Sequence, residues 1–143
     1  MASKQTKNNN SIREVPHSID AERAVLGSIL INPKSINSSL QKLEPSSFYD
    51  GAHQIIYSAM QELSYENIPI DTVTLIDKFK KDNTLEKIGG AYYITGLSED
   101  APSSENIEYY LDIVKEKDIL RTVIDTARDI SSLAYDGSEE SND

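Results

Sequence analysis

The sequence predicts an all-α fold, and three observations carry that expectation. Apolar residues recur at spacings of three and four along most of the chain, the pattern of helices that bury one face. Alternation with a period of two is nearly absent, and Thr72-Val73-Thr74 is the one weak invitation to a strand. From Ser103 to Tyr135 there is neither Gly nor Pro, which predicts a single helix of about 30 residues, roughly 45 Å long.

The elements follow in order. Residues 1–15 are polar and rich in Asn and Lys, a composition expected to stay disordered. Ser18 is the expected N-cap of a first helix whose buried face is Ala21, Val25, Leu26, Ile29 and Leu30. Gly27 lies at its centre and costs about 1 kcal/mol relative to Ala there. A packing reason is therefore expected: without a side chain at 27, a second helix can come close. Asn32 and Pro33 end this run and are expected to open the next helix as cap and first residue, with Ile36, Leu40 and Leu43 inward.

Phe48 and Tyr49, in the following connection, are expected to plug the core. Asp50 should cap a strong helix whose apolar set is Ala52, Ile55, Ile56, Ala59, Met60 and Leu63. Pro69 breaks that pattern, and Asp71 should cap a helix with Val73, Ile76 and Phe79 or Leu75 inward. "TLEKI" is a short element ending at a Gly89-Gly90 turn, and "AYYITGLSED" reads as another short helix. Tyr92-Tyr93 and Tyr109-Tyr110 are doublets, so one member of each should face outward.

The long helix carries two stripes in different phase. Ile107, Leu111 and Val114 form the first, and Leu120, Val123, Ala127, Ile130 and Ala134 the second. Two faces imply two partners: the first half packs on its own domain and the second meets something else. Equally open is that residues beyond position 143 fold back over the second stripe. "DGSEESND" is expected to end the helix at Gly137. The organisation expected is thus a disordered tail over 1–15, a helical bundle over 16–101, a long helix over 102–136 and an acidic tail over 137–143.

Composition narrows the function. The chain has 143 residues with 24 acidic against 14 basic side chains, a net charge of −10. Proteins that grip a phosphate backbone do so with Lys and Arg, so direct binding of nucleic acid is not expected. Cysteine is absent, which removes disulfides and thiolate metal sites. His17 and His53 lack a second ligand at helical metal-site spacing, and no metal is expected. No apolar run approaches the ~18 residues of a membrane span. "MASKQTKNNNS" has no apolar core behind its charges, so it does not read as a signal peptide; a soluble cytoplasmic domain is expected.

Machinery for catalysis is not legible. A phosphate loop needs GxxxxGK[ST], whereas Gly89-Gly90 is followed by Ala-Tyr-Tyr. A Ser/His/Asp nucleophile needs its serine in a sharp strand-to-helix turn, and the serines here fall in loops and caps. Glu62, Glu66, Asp71 and Asp77 read as solvated carboxylates of an acidic protein. His53 reads as a hydrogen-bonding residue at the core edge. No catalytic or cofactor-binding residue is assigned, and the chain itself is not expected to be an enzyme.

Five blocks occur in order: "AERAVLG", "FYDGAHQII", "PIDTVTL", "IGGAYY" and "YYLDIVKEKDILR". Over roughly residues 15–137 this arrangement resembles the N-terminal domain of the bacterial replicative DNA helicase, the DnaB type. The resemblance implies a compact bundle of about six helices, with the long helix as the first arm of a helical hairpin. It also implies homo-oligomers, in which dimers of N-terminal domains assemble into the collar of a hexamer, with Leu120, Val123, Ala127 and Ile130 as subunit contacts. The C-terminal domain of primase is the implied partner, with Tyr93, Ile124 and Ile130 facing it; a helicase loader is a further partner left open. The second arm, the linker and the ATPase domain, with its ATP and Mg, do not occur in these 143 residues. The chain is therefore expected to be either an excised domain or a natural truncated relative, acting as an adaptor or decoy.

Overall fold

Ser18 starts the first helix by accepting a hydrogen bond from the Ala21 N–H through its side chain, and α1 runs Ile19–Ile31. The computed structural model describes residues 13–141, with side chains described to 138. The tail expected over 1–15 lies, through residue 12, outside the described residues, as do 142 and 143 of the expected acidic tail. Six α-helices follow one another among the described residues: α1, α2 (Ser35–Lys42), α3 (Gly51–Tyr65), α4 (Thr72–Lys81), α5 (Gly90–Glu99) and α6 (Ile107–Ser141). Short 3-10 turns at Pro45–Ser47, Glu86–Ile88 and Ser104–Asn106 link them, and no strand occurs among the described residues.

α1 is the central helix, packed chiefly on α5 and α6. Its expected face is buried, and so are Glu22, Ala24, Gly27 and Ser28. Gly27 is where α5 approaches: a Cβ built there would stand 2.2 Å from the Leu97 carbonyl oxygen and 2.6 Å from the Ala101 Cβ. The close contact expected from the sequence is therefore backbone against backbone. Beside it the Ser28 hydroxyl is buried with no hydrogen-bond partner. An unpaired buried hydroxyl costs roughly 1–3 kcal/mol, so Ser28→Ala is expected to raise the unfolding free energy by about 1 kcal/mol. A urea melt that shows no gain or a loss would contradict this.

Several expectations are corrected. α2 begins at Ser35 with Lys34 as its cap, not at Asn32-Pro33. Asn32, Pro33 and Lys34 instead give their carbonyls to a tight turn ahead of the helix. Phe48 is buried, but Tyr49 is 43% exposed. It is held at the surface by a stack on His17 at 4.2 Å and by the Arg121 guanidinium 5.7 Å from its ring. On α4, Leu75 and Phe79 are buried and Ile76 partly so, whereas Val73 is exposed. Val73 sits in the capped first turn, where Asp71 and Thr74 exchange hydrogen bonds, and that geometry turns it away from the core. His53 is fully buried, not at the core edge.

The long helix differs at both ends. A 3-10 turn precedes it, so α6 proper starts at Ile107, and it continues through Gly137 to Ser141. Glycine weakens a helix by about 1 kcal/mol but leaves its hydrogen bonding intact, and Gly137 does not take the left-handed conformation of a helix stop. The first stripe, Ile107, Leu111 and Val114, is buried against the bundle. Lys42 reinforces that half with contacts to Glu108 at 2.9 Å and Asp112 at 2.6 Å. Arg121 then donates to the Pro16 carbonyl at 2.8 Å and the Ser47 carbonyl at 2.7 Å. Past that clamp every residue from 125 to 138 is exposed.

Candidate functional site

Tyr93 lies on α5, one turn past the double-glycine bend. Gly89 and Gly90 both adopt positive φ, 101° and 79°, and a Cβ at Gly89 would stand only 2.9 Å from the Tyr93 Cβ. The bend therefore needs glycine twice over at 89, for its backbone and for the space beneath Tyr93. Tyr92 projects into solvent, 91% exposed, while Tyr93 is half-buried; this is the outward and inward split expected of the doublet. The Arg23 guanidinium stands 5.1 Å from the Tyr93 ring centroid and pairs with Asp100 at 3.3 Å.

The Tyr93 hydroxyl meets His53 Nε2 at 2.5 Å, and His53 Nδ1 meets Glu22 Oε1 at 2.8 Å. Glu22 also accepts the Tyr49 N–H at 2.7 Å through Oε2 and the Asp50 N–H at 3.2 Å through Oε1. Three N–H donors on one carboxylate assign the proton of the ring to Nδ1. In the neutral imidazole Nε2 is then an acceptor, and the Tyr93 O–H donates to it. Burial pushes the Tyr93 phenol up from its ordinary value, with Arg23 partly offsetting, so the hydroxyl keeps its proton at neutral pH. Glutamate, histidine and tyrosine from three different helices are joined in one chain of hydrogen bonds.

This chain has the residue types of a proton relay but no place for chemistry. Each polar atom is committed to a neighbour inside the fold, and neither Glu22 nor His53 is exposed. Among the described residues no group of three or more His, Cys, Asp and Glu side chains could hold a metal ion. A cleft of roughly 480 Å³ opens nearby between α1, α5 and α6, lined by Ala21, Ala24, Leu97 and Ile113 with Asp20 and Asp100.

The other expected site residues stand elsewhere. Ile124 is half-buried, and Ile130 is 63% exposed on the projecting part of α6. Leu120, Val123 and Ala127 are exposed on the same helix, Val123 at 59%. Tyr93 makes its contacts with His53 and Arg23 of the bundle, whereas the two isoleucines lie past Arg121 on α6. Sequence reasoning missed Glu22, Arg23 and Arg121. Glu22 was findable, because it falls at four and seven residues from Leu26 and Ile29 and so shares their apolar face. His53 carries the same signal with respect to Ile56, Tyr57 and Met60.

Comparison with known proteins gives consistent results. The family model described as the DnaB-like helicase N terminal domain matches residues 14–116. The replicative DNA helicase DnaC of Bacillus subtilis (strain 168) is 40% identical over 128 residues, 90% of this chain but 28% of that protein. The chain thus spans a little over a quarter of that relative's length. The crystal structure of the N-terminal domain of DnaB helicase from Mycobacterium tuberculosis superposes with a TM-score of 0.85 at 34% identity, covering 88% of this chain and 90% of that one. The N-terminal domain of DnaB helicase from Helicobacter pylori, described together with its interactions with primase, gives 0.70 at 27% identity, covering 80% and 89%.

Proposed function

Because the chain belongs to the DnaB-like helicase N-terminal domain family, we propose that it is the assembly and primase-docking domain of a hexameric replicative DNA helicase. It acts in the cytoplasm by protein–protein contact, with no reaction of its own. One observation carries the assembly role: the half of α6 beyond Arg121 leaves the bundle and exposes Val123, Ala127, Ile130 and Leu133. These positions step by four, three and three, one continuous apolar stripe on a helix that its own bundle does not cover. Leu120, 40% exposed, begins the same stripe. Subunit contact through it gives dimers, and three dimers give the collar. ATP and Mg belong to the ATPase domain of a full-length parent; GxxxxGK[ST] does not occur in these 143 residues.

Primase docking has separate support. Tyr93 is a half-buried aromatic at the surface, the type of residue that anchors interfaces, and the H. pylori domain of the same fold is described with primase. The net charge of −10 suits a partner with basic patches and disfavours direct contact with DNA. No helix among the described residues is long and apolar enough to cross a membrane.

Light scattering over a concentration series tests assembly. The wild-type chain is expected to rise from monomer toward dimer mass, and Val123→Asp to remain monomeric at the same concentrations, because a carboxylate buried in an apolar contact is strongly unfavourable. A wild-type monomer at every concentration would remove the stripe as a contact sufficient for pairing two copies of this chain.

A further inference from the structure

The Glu22–His53 pair is buried to 1% and 0% exposure, and the assembly role makes no use of it. Nor is it needed to fill space, since an apolar pair would fill the same volume without the cost of burying polar groups. Through His53 the pair reaches the Tyr93 hydroxyl. Glu22 is itself immobilised by the two backbone N–H groups of Tyr49 and Asp50, at the start of α3. That holds His53 by Nδ1 and leaves Nε2 aimed at α5. Tyr93 is consequently restrained at three points: Gly89 packs under its Cβ, Arg23 stands over its ring, and His53 accepts a hydrogen bond from its hydroxyl.

We propose that Glu22 and His53 are positioning residues for Tyr93, holding its side chain in one rotamer before a docking partner arrives. The proposal rests on Tyr93 being a primase-facing anchor. Its physical content is that an aromatic anchor ordered in the free protein does not have to be ordered on binding. Immobilising a free side chain at an interface lowers affinity by roughly three- to tenfold. The design also explains why a histidine serves here. It bridges a fixed carboxylate to a hydroxyl through two nitrogens on opposite sides of a rigid ring, and a flexible side chain would transmit the constraint less completely. Arg23 contributes to the same end, since its pairing with Asp100 ties the guanidinium to the end of α5.

The test uses two kinds of variant and two readouts. His53→Asn keeps a donor near the position of Nδ1 for Glu22 but no longer reaches Tyr93, and His53→Gln reaches toward Tyr93 with an amide oxygen that can accept. Tyr93→Phe removes the tether from the other side and leaves the ring. Each is checked for folding by its thermal melt; Tyr93→Phe, which removes one hydroxyl and keeps the ring and its packing, keeps the test available if the histidine variants do not fold. The first readout needs no partner: NMR side-chain couplings of Tyr93 in the free domain. One rotamer in the wild type and averaged rotamers in His53→Asn and Tyr93→Phe are expected, with order recovered at least in part in His53→Gln. An unchanged single rotamer in Tyr93→Phe overturns the proposal, whatever primase does.

The second readout is the affinity for the C-terminal domain of the primase from the same organism, by calorimetry. Tyr93→Ala is expected to weaken binding by about 30-fold or more. Tyr93→Phe and His53→Asn are each expected to weaken it by roughly three- to tenfold, and together by no more than either alone. In a Tyr93→Ala background His53→Asn should then have no effect. If Tyr93→Ala binds as the wild type does, the docking role of Tyr93 fails, and the purpose assigned to the pair fails with it. If Tyr93→Ala weakens binding but His53→Asn acts equally in both backgrounds, docking through Tyr93 stands and positioning by His53 falls.

Discussion

Replacing Gly27 by alanine is expected to destabilise the bundle by about 2 kcal/mol, although alanine is the better helix former. Propensity alone favours the substitution by about 1 kcal/mol. Against it stands a methyl group 2.2 Å from the Leu97 carbonyl oxygen and 3.2 Å from its carbon. Those are backbone atoms of α5 and cannot rotate aside, so α1 and α5 must separate, and core overpacking of that kind costs roughly 1–3 kcal/mol or more. Ala101→Gly in the same chain should recover only part of the loss, because it clears the contact at 2.6 Å and leaves the carbonyl. Gly96→Ala is the control: its nearest neighbour would be Asp100 Oδ2 at 4.0 Å, so propensity governs and a small gain is expected. Urea melts of the four proteins decide the matter. A Gly27→Ala midpoint equal to the wild type would show that the helices yield without cost.

Glu22→Ala is the second large effect, with a loss expected at about 3 kcal/mol or more. It leaves the His53 Nδ1–H and the Tyr49 and Asp50 N–H groups without their acceptor. The buried His53 donor so abandoned costs roughly 1–3 kcal/mol, the two part-buried N–H groups cost less, and the cavity left by the shortened side chain adds to this. Glu22→Gln discriminates between shape and hydrogen bonding. It matches the volume but supplies one acceptor oxygen in place of two, so an intermediate loss is expected from chemical denaturation. If Gln and Ala were equally destabilising, shape would have no part in the effect. If Ala were neutral, the network would be dispensable to the fold.

Periodicity made most of the bundle legible, because helices that bury one face write it at three-and-four spacing. Ser18, Asp50 and Asp71 were legible as caps for a local reason, a short polar side chain just ahead of an apolar run. What failed was what local pattern does not contain. Tyr49 reads as core because it follows Phe48, but its surroundings are His17 and Arg121, 32 and 72 positions away. Gly137 reads as a stop, yet a stop also needs the left-handed turn that the chain does not make there.

The candidate site was legible only in its parts. Tyr93 was marked by resemblance, whereas its connection to His53 and Glu22 spans 40 and 31 positions and exists only once three helices are packed. Polar residues on an apolar face were the available clue, and they point to a hydrogen-bonded core without naming the partner. The second stripe of α6 was read as unpaired with its own bundle, and its exposure is what such a reading anticipates.

The clamp at Arg121 makes the free part of α6 a lever with its fulcrum in the bundle. Twenty residues separate it from Ser141, about 30 Å at the rise of an α-helix. A tilt of roughly 10° at the fulcrum would swing the tip by about 5 Å, close to the pitch of one helical turn, enough to move a knob of the stripe out of one hole and into the next. The aim of the lever is therefore set not along its own length but by the carbonyls of Pro16 and Ser47, one just ahead of the first helix and the other in the turn after the second.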